Sequence, residues 1–435
     1  MSGPRRPTDH AEFVALLQEA NAHRKPVSVM GAASKSLIGG PVDGAMALST
    51  QGLRGISLYE PSERVIAVHA GTPLTQVETL LASQGQMLPF EPLDAGTLVG
   101  HAPGQATIGG VIAGGFGGAR CGGSTAFARP VGGHVLGLAA ISGKGDLIKC
   151  GGRTRKANAG YDLTRLLAGS WGTLAVLTEI VLNVVPLAAE TGTLLIQGQP
   201  DEVAVDVLRQ GLAASPLVTG AIHLQGALTA RLHMPELAEQ QRPVTALRLE
   251  TGPGQLDDAR DAVFHAIRAY GQVEAMDEPT SLAFWDEVRQ LHVLNEAQTP
   301  LWRVSVAPTR APALVKAVDG YLGARAFYDW GGGVVWMEVQ PARDAGAADI
   351  RRLVATSGGH AMLVRASAEV RGEVDVFQPH EPAVQALFDR IKQAFDPAGI
   401  LNPGRKGRST MAASQHTGET QRADEAAALM PLEVT

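Results

Sequence analysis

Cysteine is almost absent from this chain: Cys121 and Cys150 are the two in 435 residues. Two thiols cannot make a framework of bridges, neither lies in a C-x-x-C pair, and an iron–sulfur cluster usually needs four. A reducing, cytoplasmic compartment fits that usage. Aromatic residues are scarce at 5%. Basic excess is missing too, since the net charge is −6 with no basic stripe, which argues against nucleic acid as a partner. No apolar run reaches the roughly 18 residues needed to span a bilayer, and the opening MSGPRRPTDH lacks the apolar core of a secretory leader. No direct membrane insertion is expected, and any association with the inner membrane would be made through a partner.

What is abundant is glycine, with 51 residues. The stretch PGQATIGGVIAGGFGGARCGG, 103–123, carries nine of them in 21 positions. Glycine loses more conformational freedom on ordering than any other residue, so so dense a run needs a reason. A second loop, GAASKSLIGG at Gly31–Gly40, follows the short apolar strand Val27–Met30, and a third is Gly169-Ser170-Trp171-Gly172-Thr173. One such loop reads as a tight turn in a twisted sheet. Three of them favour a large ligand held by main-chain N–H groups, because a backbone without Cβ atoms can crowd against an oxyanion. The usual phosphate fingerprints are missing: no G-x-G-x-x-G opens a helix after a strand in this half, and Gly143-Lys144-Gly145 lacks the Walker spacing and the Ser/Thr.

The first ~187 residues alternate short strands, two amphipathic helices and long glycine loops, an α+β pattern. Thr8 or Asp9 caps a first helix with Phe13, Leu16, Leu17 and Ala20 on one face, and Thr72 with Pro73 opens a second. A hairpin turns at Gly143–Asp146, and a long strand closes at Pro186. From Leu187 the glycine clusters thin. Helical patterns lie near 201–212, 255–269, 281–293, 311–320 and 345–357, and strand-like runs at 244–250, 301–307, 334–339 and 360–365. A last helix, 381–395, leads into FDPAGILNPGR, and the polar tail 409–435 reads as disordered.

Taken in order, VSVMGAASKS, PGQATIGGVIAGGFGG, NAGYDLTRLLAGSWGTLAVLTEIVLNVVP and FDPAGILNPGR resemble the vanillyl-alcohol-oxidase, or p-cresol-methylhydroxylase (PCMH), type of FAD-binding protein. PLWRVSVAP, YDWGGGVVWMEV and GGHAMLVRA narrow the likeness to the FAD-binding subunit of the bacterial glycolate oxidase (glycolate dehydrogenase) complex. The resemblance implies an α+β fold: a two-subdomain FAD-binding domain over 1–187, an α+β cap with an antiparallel sheet over 188–375, and a segment 376–408 returning to the flavin. It implies oxidation of glycolate to glyoxylate by an assembly that includes a related catalytic flavoprotein and an iron–sulfur subunit, with electrons passed towards the respiratory chain. A self-sufficient dehydrogenase of a small 2-hydroxy acid such as D-lactate, and a scaffold with an empty FAD site, stay open beside it.

By the same pattern, Gly31, Ala32, Ala33, Ser34, Lys35 and Ser36 clamp the FAD pyrophosphate together with the Gly104–Gly110 loop. Lys35 either adds charge there or is a solvated loop lysine. Thr107, Ile108 and Gly109 follow the flavin and ribityl portion, with Gly114 and Gly115 permitting close approach. Gly169, Ser170, Gly172, Thr173 and Leu174 support the adenine half, and Ile180 and Val181 line its slot. Asn402 and Arg405 belong to the C-terminal return, Arg405 being a flavin-side cation or a surface arginine. Gly31–Gly40 contains no histidine, and His101 and His134 stand isolated, so FAD is expected to be non-covalent. Related D-2-hydroxy-acid dehydrogenases carry H-x-G-D-G-N-x-H in the cap; here YDWGGGVVWMEV offers Asp329 and Glu338 instead, and no metal is expected at His223, His233 or His360. Arg303 and Arg365 are the candidates for contact with a substrate anion, and Trp330 and Trp336 are flavin-facing walls or cap core. No residue stands out as the catalytic base.

Overall fold

The computed structural model describes residues 3–42, 44–120, 131–153, 162–296 and 298–407. The end of the glycine run (Gly122, Gly123), the NAGY segment and the tail 409–435 lie outside the described residues.

Helix α1, His10–Ala22, begins where Asp9 accepts a hydrogen bond from the Glu12 amide, and it buries Phe13, Leu17 and Ala20. It covers a small parallel pair, β1 (Val27–Met30) and β2 (Met46–Ser49). The C-terminal segment lies alongside β1: Val27 donates to the Ile400 carbonyl and Asn402 donates to the Val27 carbonyl, at 2.8 and 2.9 Å. A five-stranded antiparallel sheet follows, built from β3 (Ile56–Glu60), β4 (Val65–His69), β5 (Val135–Ser142), β6 (Leu147–Gly151) and β7 (Ala175–Asn183). Its order is β3-β4-β7-β5-β6. Helices α2 (Leu74–Ser83) and α3 (Ile108–Gly114) close over it around Ile66, Val68, Ile180 and Leu182. Each such fully buried aliphatic side chain contributes about 1.5–3 kcal/mol.

Two local expectations change. Thr72 does not cap α2; Pro73 occupies the cap position, and the buried Thr72 hydroxyl donates to the His69 carbonyl at 2.7 Å while accepting from the Gly55 amide. The run 103–123 is not all loop either, because Thr107 accepts a hydrogen bond from Gly110 and starts α3 inside it. A threonine N-cap satisfies a donor that glycine alone would leave open.

The part expected to form the cap holds one eight-stranded antiparallel sheet. Its strands are β8 (Glu190–Gln197), β9 (Val218–Leu224), β10 (Val244–Thr251), β11 (Val273–Met276), β12 (Leu301–Ser305), β13 (Ala324–Asp329), β14 (Val334–Val339) and β15 (His360–Arg365). The order is β11-β8-β10-β9-β13-β14-β12-β15. The helices expected between 201 and 357 are present as α4 (Asp201–Ala214), α5 (Leu256–Ile267), α6 (Glu278–Arg289), α7 (Ala311–Leu322) and α8 (Ala347–Ser357). Helix α6 stops short of the expected Val293 because Leu291 takes φ 51°. A final helix, α9, spans Pro382–Phe395.

Strand alternation sorts the cap residues by face. Trp302, Val304, Ala326, Tyr328, Val335 and Met337 pack under α7 and α8. Leu301, Phe327, Val334 and Trp336 point the other way and join Ile38, Leu98, Phe116 and Trp171 in one core. The FAD-domain-like half and the cap therefore share apolar contacts. A buried ion cluster crosses the same boundary: Glu91 receives Arg248 Nη1 at 2.6 Å and the Arg120 amide at 2.7 Å, and Arg120 also binds Glu250. Burial alone would raise the Glu91 pKa, but Arg248 and Arg120 outweigh it and hold the carboxyl below its ordinary value. Removing one member of such a cluster leaves buried charge without compensation and costs about 3–5 kcal/mol. Glu91→Ala is expected to lose that much in urea unfolding at pH 7; a loss under 1 kcal/mol would show that the cluster does not hold the halves together.

Candidate functional site

A cleft with about 810 Å³ of atom-free space lies between β1, the 31–36 turn, α3 and the start of β7. The sequence placed Gly31, Ala32, Ala33, Ser34, Lys35, Ser36, Thr107, Gly109, Gly110, Gly114, Gly172, Asn402 and Arg405 at a ligand, and all of them line it. Ser28, Val29, Met30, Thr50, Ala70, Ala113, Trp171, Ala175 and Leu177 line it as well and were missed. They are ordinary strand and helix residues with no motif to flag them, apart from Trp171, whose position between two glycines in GSWGT was the one available signal.

The turn after β1 is the distinctive element. Ala33 adopts φ 62°, and the N–H groups of Ala32, Ala33, Ser34 and Lys35 make no hydrogen bond to the described protein. Consecutive amides arranged around a left-handed residue form an anion-binding concavity. Lys35 adds a partly buried ammonium that has no hydrogen bond or ion pair among the described residues. Burial pulls its pKa down to about 8, partly countered by Asp94.

The turn is held from behind. Asn402 Oδ1 accepts the Val29 amide at 2.7 Å, and its Nδ2 donates to the Trp171 carbonyl at 2.8 Å. Arg405 Nη1 donates to the carbonyls of Ser36 and Ile38 at 3.0 and 2.7 Å. Burial and the neighbouring Arg371 lower the Arg405 pKa to about 10. Gly31 is a contact requirement: a Cβ there would fall 2.1 Å from Thr107 Oγ1. Gly109 is another, with its Cβ 2.7 Å from the Ala70 carbonyl oxygen.

In the second expected clamp, Gly104–Gly110, four of the amides are taken by the protein itself. Ile108 donates to the Thr72 carbonyl, Gly109 to the Ala70 carbonyl, Gly110 to Thr107 Oγ1 and Gln105 to Asp94. Gly104 is an exposed turn glycine. Ile108, Leu174 and Ile180 face the core under the sheet instead of the cleft, as their apolar side chains require. Gly115 and Gly169 touch each other and face a separate cavity beside Val131 and Arg165. Ser170 is buried, and the Thr173 hydroxyl bonds to the Ser170 carbonyl.

The two candidate cap arginines part company. Arg365 donates to the carbonyls of Thr299, Leu98 and Leu294 and pairs with Glu338 at 3.1 Å. Four of its five N–H donors are taken, so it serves as a clamp between the halves. Arg303 makes no hydrogen bond or ion pair among the described residues. Its guanidinium stands 5.9, 5.8 and 5.6 Å from the ring centroids of Phe116, Trp330 and Trp336. Trp336 is core, while Trp330 is partly buried and donates to the Gly118 carbonyl at 2.7 Å. Asp329 shares this sheet face. Burial raises its pKa to about 7, against the Trp330 amide bond that favours the charged form. Glu338 is held by Arg231 and Arg365. His223 is buried against Thr245 and Asp201, whereas His233 stands beside His292 and Glu287.

This fold and cleft are those of an FAD-linked oxidase. Solved p-cresol methylhydroxylase with substrate bound superposes over 93% of this chain and 88% of its own at TM-score 0.70 with 15% identity. Alkyldihydroxyacetonephosphate synthase does so over 91% and 75% at 0.64 with 14% identity. Residues 3–151 match the FAD binding domain family, and 379–405 match the C-terminal domain of FAD linked oxidases. The chain is 33% identical over 400 residues to glycolate oxidase subunit GlcE of Escherichia coli (strain K12), covering 90% of this chain and 96% of that protein. The D-lactate dehydrogenase of Archaeoglobus fulgidus is 32% identical but over only 44% of this chain and 40% of its own. The chain thus belongs to the FAD-linked oxidoreductase family that includes GlcE, and its cofactor is FAD. Among the described residues no helix is long and apolar enough to cross a membrane.

The residues fit that cofactor, since unbonded amides and an unpaired ammonium at one turn match the donor set a pyrophosphate needs. Asp329 supplies a test of the cap side. The folded protein keeps its proton up to about pH 7, whereas the unfolded chain releases it near 3.8. The stabilisation is therefore complete below the unfolded value and is lost as pH rises through 7. The stability of Asp329→Asn relative to wild type is expected to rise by roughly 2–3 kcal/mol between pH 5 and pH 8. A difference independent of pH, measured by urea unfolding at the two values, would refute the assignment.

Proposed function

We propose that this chain is an FAD-binding subunit of a complex that oxidises glycolate to glyoxylate. The observation that carries the reading is the turn of unbonded amides with Lys35 beside it, in a chain that spans nearly the whole of a glycolate oxidase subunit. FAD, when bound, would supply a two-electron acceptor for oxidation at the substrate's α-carbon. The amides of Ala32–Lys35 and the Lys35 ammonium would hold its pyrophosphate without a covalent link. Trp171, Ala175 and Leu177 give apolar walls to the same cleft.

Arg303 would receive the substrate carboxylate. Its three aromatic neighbours accept no hydrogen bond from the guanidinium in its plane and leave its N–H groups free for an anion. Asp329, coupled to Arg303 and near the midpoint of its titration at neutral pH, is the candidate acceptor of the hydroxyl proton. With two cysteines in the whole sequence, single-electron transfer to a cluster requires a separate iron–sulfur subunit, and a related flavoprotein would share the substrate chemistry.

Native-level affinity purification is expected to recover a cysteine-rich companion, and glycolate should bleach the flavin of that assembly. Glycolate turnover by the isolated chain with an artificial acceptor would favour a self-sufficient dehydrogenase instead. For the cofactor turn, a charge-assisted hydrogen bond contributes about 1.5–3 kcal/mol. Lys35→Ala is therefore expected to weaken FAD binding by roughly 10–150-fold at pH 7. Wild-type affinity should fall as pH rises above about 8, where the ammonium loses its proton, and the variant should not follow that fall. Unchanged flavin fluorescence titrations would remove Lys35 from the site.

A further inference from the structure

On the cap, His233, Glu287 and His292 converge, and none of them lines the cofactor cleft. His233 follows the short helix Gly226–Thr229, Glu287 lies in the last turn of α6, and His292 opens the single turn His292–Leu294. Their ligating atoms all fall within 4.8 Å of one another. The two imidazole centroids are 3.8 Å apart, and His233 Nδ1 is 3.7 Å from Glu287 Oε1. Two imidazoles and a carboxylate thus present their ligating atoms to one point.

The supports are fixed by hydrogen bonds within the protein. The His233 amide donates to Glu287 Oε1 at 2.7 Å, leaving the second carboxylate oxygen available. The Val293 carbonyl accepts from Arg231 at 2.8 Å, and the Leu294 carbonyl from Arg365 at 2.6 Å. Two segments distant in sequence are thereby held face to face by bonds that need no ion.

We propose that His233, Glu287 and His292 form a binding site for a divalent transition-metal ion, zinc foremost, with water completing the coordination. Two imidazoles and one carboxylate suit zinc and its neighbours, whereas calcium and magnesium favour all-oxygen sets. Zinc bonds of about 2.0–2.2 Å place tetrahedral ligand atoms roughly 3.3 Å apart. Rotation of His233, whose side chain is 71% exposed, supplies the closure from the present spacing. The bound ion would tie the turn after Thr229 to the end of α6. That end is joined through Leu294 to Arg365 and so to the Leu98 carbonyl on the cofactor side. This departs from the sequence expectation of no metal, and it stands apart from the glycolate reading.

The test uses untagged, FAD-loaded full chain stripped with a chelator and titrated with Zn²⁺ against a chromophoric competitor, then with Co²⁺ for its visible d–d bands. One ion per chain at micromolar affinity or tighter is expected, with Co²⁺ bands of low coordination number. His233→Ala and His292→Ala should each weaken binding roughly 100-fold or more, with flavin absorbance retained as the check on folding. Glu287→Gln, which preserves the bond to the His233 amide, serves if either histidine variant fails to fold, and should also weaken binding. Wild-type binding no tighter than free imidazole, or equal affinity in wild type and variants, overturns the site.

Discussion

The N–H groups of Ala32–Lys35 turn into the cleft and find no acceptor in the described protein, and a turn that forgoes four main-chain hydrogen bonds keeps its shape only through its other contacts. Ala32–Lys35 therefore depends on its backing. Ser49 Oγ donates to the Gly31 carbonyl, Arg405 grips the carbonyls of Ser36 and Ile38, and Asn402 joins Val29 to Trp171. Asp396 in turn fixes the strut by accepting the amides of Ile400 and Leu401. The C-terminal segment pairs with β1, near the N-terminus, because the turn can keep its amides open only if something else fixes its carbonyls.

The cap shows the same logic with side-chain charge. Arg248 and Arg365 are buried and have carboxylates, Glu91 and Glu338. Arg303 is half-buried among rings and forms no ion pair with a carboxylate among the described residues. Cation–π contact offsets about 0.5–2 kcal/mol, less than the several kcal/mol that desolvating an ion costs. Asp329 does not close the gap: a carboxylate in a tight ion pair titrates below its ordinary range, whereas Asp329 is pushed up to about 7. The uncompensated cation marks where an incoming anion would gain most.

Much of this was legible in the sequence, and the failures are physical. The turn at 31–36 announced itself through glycine and small residues after an apolar strand. The run at 103–123 carried the same signal with a different outcome, because Thr107 capped a helix and the surrounding carbonyls of Thr72 and Ala70 took up the amides of Ile108 and Gly109. Composition reports that backbone can approach closely; it does not report whether a ligand or another strand arrives. Arg303 and Arg365 were equivalent as letters, and only the alternation along β12 and the convergence of Leu98, Leu294 and Thr299 on Arg365 separated them. Strands β8, β9 and β13 escaped notice because glycine, threonine and charged residues interrupt their apolar runs, while both faces are covered in the fold. The pair His233 and His292 was invisible for a simpler reason: 59 positions separate them in the sequence.

Helix α3 joins the two charged features. Its start is fixed by Thr107 against Gly31, and Gly114 near its end lets Lys35 pack at 3.3 Å from where a Cβ would stand. Two residues further on, Phe116 reaches the ring set around Arg303. Seven helical residues rise about 10 Å, so one short rigid element sets the spacing between the anion-binding turn and the caged guanidinium. Its amides could not serve both as ligand donors and as its own attachment to Ala70 and Thr72. The fold uses them for attachment and leaves ligand contact to the turn. A displacement at either end would shift the other, which makes α3 a ruler between the two sites without requiring any loop to move.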